Sequence, residues 1–354
     1  MKEGGFLKFI HIADVHWGAV PDRDKSWGIQ RGKEIKETFQ RVIAYAQEQQ
    51  TDLLLISGDF FHQPPSYQEI REVDYLLSKL SHTKTIWIAG NHDYLKHGCP
   101  FLEYEFQSDT ILLSDEQIGK VKIPEMDTVV YGLSYWSDMI KEPLYDHIVP
   151  EEEDEVTILL AHGGDASHIP LNREKLKWSG FDYVALGHIH KPEMIFEDLM
   201  AYAGSLEPLD HTETGPHGLI QGEITEEKKR IEFIPFAKRQ YVETEVFVSE
   251  DMGESEILDR IQTEMDYRGN ENIHHIILEG TIDAGIHPDI KRLEDSYRIS
   301  GIEYRMKSRW DYESLMEDGD LMLQNVATIL KEKPKALSYA AEALMAVREN
   351  SHED

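Results

Sequence analysis

Five short apolar runs in this chain each end in side chains of the kind that bind metals, always at the carboxyl end of the run. FLKFIHIA (6–13) leads into Asp14 and His16, DLLLIS (52–57) into Gly58 and Asp59, and IWIA (86–89) into Gly90, Asn91, His92 and Asp93. VTILLA (156–161) leads into His162, and FDYVAL (181–186) into Gly187, His188 and His190. Runs of this length and β-branched or aromatic content read as strands. In an α/β sheet, side chains distant in sequence converge at the carboxyl edge. Gly58, Gly90 and Gly187 supply the sharp turns such a ligand position needs. An Asp-x-His triplet or a Gly-Asp pair means little alone; five such elements in order, each closing a strand, define one site.

Between the first two runs, residues 32–50 place Ile35, Phe39, Val42, Ile43 and Ala46 at helical spacing. Residues 66–80 repeat the pattern with Ile70, Val73, Leu76, Leu77 and Leu80. Strands alternating with amphipathic helices predict an α/β domain. A last strand is expected over 231–236 and a boundary near residue 238, giving units 1–238, 239–310 and 311–354. The middle unit reads strand (241–248), helix (254–265), strand (273–282), helix (287–298), strand (302–309), a small α+β module. After it, residues 311–350 read as two helices separated by Pro334.

The 354 residues are 40% hydrophobic, enough for a large domain with a smaller one. The single cysteine, Cys99, excludes an intrachain disulfide and removes zinc ribbons and iron–sulfur clusters from consideration, so a reducing cytoplasm is the expected location. The N-terminus lacks the pattern of a signal peptide, and no segment has the apolar length of a membrane span. A formal charge of −31 counts against nucleic acid as a partner, although a local cationic cluster or a metal site can still hold phosphate.

Asp14, His16, Asp59, Asn91, His162, His188 and His190 are too many ligands for one tetrahedral ion and suit two ions. Imidazole and oxygen donors without thiolate point to Mn, Fe, Zn or Co. Two such ions would supply a nucleophile at neutral pH and clamp a phosphate for in-line attack, which is phosphoester hydrolysis. His92 is left over. General acid to the leaving oxygen is the role expected of it, with Asp93 as its orienting carboxylate; a hydrogen-bond donor behind the ligands is the bland alternative. His11, inside the first strand, is read as structural, and Asp165 and His168 as partners behind His162.

These motifs resemble the calcineurin-like metallophosphoesterases, whose signature runs Asp-x-His, Gly-Asp, Gly-Asn-His-Asp/Glu, His, Gly-His-x-His. The resemblance implies a four-layer fold of two packed mixed β-sheets flanked by helices. It also implies that Asp14, His16, Asp59 and His190 hold one metal, that Asp59, Asn91, His162 and His188 hold the other, and that His92 is the catalytic acid. GDFFH (58–62), AYAGSLEPLD (201–210), the small module and the terminal helices are similar to the SbcD nucleases, the bacterial branch of the meiotic recombination eleven family; Ala203 replaces the usual proline. That likeness implies a manganese-dependent DNA exonuclease, a homodimer, a capping domain and a C-terminal segment for an SbcC-type coiled-coil ATPase. It also implies that His62 places DNA at the metals. Beside the site, residues 17–33 offer Trp17, Trp27, Arg23, Lys25, Arg31 and Lys33; Arg31 is taken as a substrate contact. The competing reading is a solvated loop with buried tryptophans, since Asp22, Asp24 and Glu34 nearly cancel the charge. Two other functions stand beside the nuclease: a phosphatase or cyclic-nucleotide phosphodiesterase, to which −31 is no obstacle, and a DNA-end scaffold.

Overall fold

The structure is a computed structural model and describes residues 6–151, 155–283, 286, 288–294, 296–309, 315–316, 319–333, 336–337, 339–341 and 343–344. It divides into two compact units, Met1–Gln240 and Tyr241–Asp354.

In the first unit the strands are β1 (Phe6–Ile12), β2 (Leu53–Ser57), β3 (Lys84–Ile88), β4 (Thr110–Leu112), β5 (Gly119–Ile123) and β6 (Thr128–Gly132), followed by β7 (Val156–His162), β8 (Tyr183–Gly187), β9 (Glu193–Phe196), β10 (Met200–Tyr202), β11 (Gly218–Thr225) and β12 (Lys229–Pro235). They form two six-stranded sheets, ordered β12-β11-β1-β2-β3-β4 and β5-β6-β7-β8-β10-β9. β1, β2, β3 and β4 are mutually parallel, as are β6, β7, β8 and β10; β11, β12, β5 and β9 pair antiparallel at the edges. Parallel strands buried on both faces read as unbroken apolar runs, which is why LLLIS carries no polar alternation.

Alternation along β1 explains the layering. Leu7 and Phe9 point into a core shared with Ile158, Leu160, Tyr183 and Ala185 of the other sheet. Ile10 and Ile12 point the opposite way, onto Ile35, Phe39 and Val42 of α1 (Gly28–Gln49) and Ile70 and Val73 of α2 (Tyr67–Leu77). The far face of the second sheet is covered by Leu176 and Phe181. Helices, sheet, sheet and outer cover make the four-layer α/β sandwich expected. His11 is buried in the seam between the sheets, Nδ1 2.8 Å from Tyr183 Oη and Nε2 3.0 Å from Ser57 Oγ, and burial pushes its pKa down to about 3.

Helix α1 begins at Gly28, earlier than the apolar spacing predicts, so Arg31 and Lys33 belong to its first turns and not to a loop. Ser66 caps α2 through a reciprocal capping box with Glu69. The second unit contains β13 (Tyr241–Val248), α3 (Glu254–Arg268), β14 (Ile273–Asp283) and β15 (Arg298–Arg309), with the strands in one parallel sheet. The helix expected over 287–298 is corrected: its described residues form only a 3₁₀ turn at Ile290–Leu293, and β15 already starts at Arg298. Of the two helices expected over 311–350, Leu321–Leu330 is described, with Leu323 and Ala327 packed on Leu315, Leu337 and Ala341; much of the rest of 311–354 lies outside the described residues. No described helix is long and apolar enough to cross a membrane.

Candidate metal centre

Asp14 and His16 follow β1, Asp59 follows β2 and Asn91 follows β3, all in the first sheet. His162 closes β7, and His188 and His190 follow β8, all in the second. The ligand-bearing strand ends therefore come from two packed sheets and meet across the seam. The backbone is bent to bring them there: Asp14, His16, Asp59 and His188 have φ of 48°, 49°, 49° and 93°, a left-handed region that side chains other than glycine seldom occupy. Gly58 (φ 89°) allows close approach, since a Cβ there would lie 2.4 Å from His162 Nδ1.

Four groups of possible ligands form among the described residues, each with its ligand atoms within 4.8 Å of one another; Asp14–His16–His190 and Asp59–His162–His188 are built from the strand ends, and His16–His62–His92 and Asp165–His168–His188 flank them. Asn91 Oδ1 belongs with the Asp59 group, 2.9 Å from His162 Nε2 and 3.1 Å from His188 Nδ1. His16 Nε2 and His190 Nε2 face each other at 3.1 Å.

The outward nitrogens test whether a metal fits. His162 Nδ1 donates to the Ser57 carbonyl (2.8 Å), His190 Nδ1 to Glu213 Oε1 (2.6 Å) and His188 Nε2 to Asp165 Oδ2 (2.7 Å). Carbonyl and carboxylate oxygens only accept, so the inner nitrogen of each neutral ring carries a lone pair. His162 Nε2 then faces Asp59 Oδ2 at 3.4 Å, acceptor against acceptor. Either a second proton on the ring or a cation between them resolves the conflict, and the buried donor set of imidazoles, carboxylates and one amide oxygen suits divalent ions.

The site's electrostatics express the same crowding. Burial pushes the Asp14 carboxyl up to about 6. Burial also opposes ionisation of Asp59, but His162, His16 and His92 outweigh it and hold Asp59 below the usual carboxylate range. Burial works against charge on His162 too, yet Asp59, Asp14 and the Ser57 carbonyl push it up to about 9; for His190, Glu213 and Asp14 override burial in the same way, to about 9. Burial and His162 push His188 down to about 4, and burial holds His16 well below the usual imidazole range.

His92 and His62 are exposed at the rim. His92 sits beside His16, ring centroids 4.8 Å apart, and its Nδ1 lies 3.1 Å from the His62 carbonyl. His62 Nδ1 lies 3.3 Å from His16 Nδ1, and His62 also lines a cavity of about 360 Å³ with Trp17, Arg23, Gln63 and Glu69.

Two expected roles are corrected. Asp93 does not orient His92: fully buried, it accepts from the backbone N–H groups of Gly90 (2.7 Å), Phe60 (3.0 Å) and Phe61 (3.1 Å), clamping the β2 and β3 ends together. Burial and the Asp59 charge raise its pKa to about 7. Asp93→Ala leaves three buried donors without an acceptor and is expected to lower stability by about 3 kcal/mol, read from urea unfolding. Arg31 is not presented to a substrate either. It is fully buried, Nη1 2.7 Å from Glu34 and 3.3 Å from Glu207, and Nη2 2.7 Å from the Pro208 carbonyl. Asp165 and His168 do stand together behind the site, 2.9 Å apart, with Asp165 holding His188 rather than His162. Glu213 carried no sequence signal: it follows a turn after the last strand-end motif and belongs to no periodic pattern.

Residues 7–192, more than half of the chain, match the family model described as calcineurin-like phosphoesterase. The chain belongs to that family, and it is a metal-dependent phosphoesterase. It is 28% identical over 218 residues to the DNA double-strand break repair protein Mre11 of Methanocaldococcus jannaschii, an alignment covering 57% of this chain and 57% of that protein. The chain thus spans little more than half the length of that relative. Among solved structures, a dimetal phosphatase from Danio rerio matches over 66% of this chain and 100% of its own, at 11% identity and a TM-score of 0.37.

Proposed function

We propose that the protein is an SbcD-like DNA exonuclease subunit acting at double-strand ends. The observation that carries the phosphodiesterase chemistry is the pair of imidazole–carboxylate clusters with two exposed histidines at their rim. The similarity to a double-strand break repair protein supports DNA as the substrate.

Asp14, His16, Asp59 and His190 would hold one divalent ion, and Asp59, Asn91, His162 and His188 the other, manganese being our assignment. Such a pair supplies Lewis-acid charge and a nucleophile at neutral pH for in-line displacement at phosphorus. His92 stays out of the ligand set. With Nδ1 on the His62 carbonyl, its Nε2 is left to protonate the leaving oxygen. His62 steadies His16 through its ring and His92 through its carbonyl, and it adjoins a cavity that would receive the nucleotide beside the scissile phosphate. We assign residues 1–238 as the nuclease domain, 239–310 as a capping domain and 311–354 as the segment for an SbcC-type coiled-coil ATPase, in a cytoplasmic homodimer.

His92→Ala is expected to lower turnover by about 10²–10⁴-fold while both manganese ions stay bound, as titration calorimetry beside an end-labelled duplex assay would show. The charge of −31 favours a second reading, a phosphatase or cyclic-nucleotide phosphodiesterase. Fast hydrolysis of a small phosphoester together with inert DNA, in the presence of manganese and the ATPase, would decide for it. DNA-end bridging that survives His92→Ala would favour a scaffold.

A further inference from the structure

We propose that Glu213 fixes the tautomer in which His190 can bind a metal, making it a positioning residue of the centre. This rests on the metal-site reading above and is independent of whether DNA is the substrate.

Glu213 Oε1 lies 2.6 Å from His190 Nδ1. Its other oxygen, Oε2, accepts from the Ser205 hydroxyl at 3.0 Å and from the backbone N–H of Leu209 at 2.9 Å. Ser205 is fully buried; with His217 Nδ1 donating to the Ser205 oxygens (2.9 Å to Oγ, 3.1 Å to the carbonyl), the hydroxyl hydrogen points at Glu213. The carboxylate therefore accepts at each of these contacts. The hydrogen of neutral His190 sits on Nδ1, and the lone pair sits on Nε2, which faces His16 Nε2 at 3.1 Å inside the Asp14–His16–His190 cluster. A carboxylate behind a ligating imidazole fixes ring and tautomer and raises its basicity, and losing one typically costs 10–100-fold in metal affinity.

Leu209 makes the inference sharp, because its contact is a main-chain N–H that can only donate. Glutamine in place of Glu213 has the same shape, but its amide must choose an orientation. Its oxygen has to stay with Leu209 and Ser205, so its NH₂ turns toward His190 and donates to Nδ1. The imidazole hydrogen then moves to Nε2, where it occupies the position meant for the metal. Exchange of one oxygen for nitrogen, with no change in volume, inverts the tautomer.

The test uses the full chain as wild type, Glu213→Gln and Glu213→Asp. Manganese is titrated in by calorimetry, and the ¹⁵N-labelled histidines of the metal-free proteins are followed by NMR at a pH above 9, where the His190 ring is neutral. Wild type is expected to take up two ions. Glu213→Gln should keep one ion at wild-type affinity and bind the second about 10–100-fold more weakly, with the His190 hydrogen on Nε2. Glu213→Asp, which keeps the charge at shorter reach, should fall between them with the hydrogen still on Nδ1. A Gln variant that binds both ions as wild type does, or keeps the hydrogen on Nδ1, overturns the proposal. Should the Gln variant fail to fold, the Asp variant decides, and unchanged affinity for both ions overturns the proposal. Wild-type protein that binds no pair of ions defeats the underlying metal-site reading, a result visible before any variant is made.

Discussion

Asp59→Ala is expected to lower phosphoesterase turnover by about three orders of magnitude, equivalent to about 4 kcal/mol of transition-state stabilisation, and to leave the protein unable to hold two ions. Asp59 Oδ2 is 3.4 Å from His162 Nε2 in one cluster, while the same carboxylate acts electrostatically on His16 in the other. Its Oδ1 also accepts the backbone N–H of His92 at 2.8 Å, so the residue that would bridge the ions is bonded to the one that would donate the proton. Turnover of a small phosphodiester and manganese stoichiometry are measured on the same preparation. A variant that still binds two ions would show that Asp59 does not bridge them, and the contrast with His92→Ala separates a ligand from an acid.

Arg31→Ala is expected to cost about 3–5 kcal/mol of folding stability, because removing one partner leaves the others charged and buried. Arg31, Glu34 and Glu207 are all fully buried or within 1% of it. Glu34 is shared with Arg239 at 2.6 Å, and Glu207 accepts from Thr38 Oγ1 and the Lys238 N–H, both at 2.6 Å. Arg31→Lys should recover little, since one ammonium lacks the fork that spans two carboxylates and the Pro208 carbonyl. Burial opposes ionisation of Glu34, but Arg239 and Arg31 hold its pKa below the ordinary value of 4.5. A lowered carboxylate stabilises fully above its unfolded pKa and loses that contribution as pH falls through its folded value, so the Arg31 contribution should shrink under acid conditions. Urea midpoints across pH measure both effects. A variant of unchanged stability whose only defect is weaker DNA binding would restore Arg31 as a substrate contact.

The elements that sequence made legible share a physical cause. β1, β2, β3, β7 and β8 are buried on both faces and lie next to parallel partners, so each appears as a continuous apolar run with its ligands at one end. β4 and β10 span only three residues, and β5 alternates half-buried with exposed positions, which leaves them too short or too weakly patterned to stand out. Asp93 follows His92 directly, which invites pairing the two, whereas its partners Phe60 and Phe61 come from another strand end that only the folded sheet brings near. Arg31 reads as exposed because charge predicts exposure unless partners are known, and its partners Glu207 and Pro208 lie far along the chain. The cluster around Glu213 depends on the conformation of an irregular segment, which no period encodes.

Ownership of the ligands is divided between the sheets within each cluster. Asp14 and His16 come from one sheet and His190 from the other; Asp59 and Asn91 come from the first, His162 and His188 from the second. Neither sheet carries a complete coordination set, so the centre is assembled only by the packing of one sheet on the other. Displacement of one sheet along the other would pull both clusters apart at once, and the shared apolar core together with the His11–Tyr183 and Ser57–Ala185 contacts crosses that same seam.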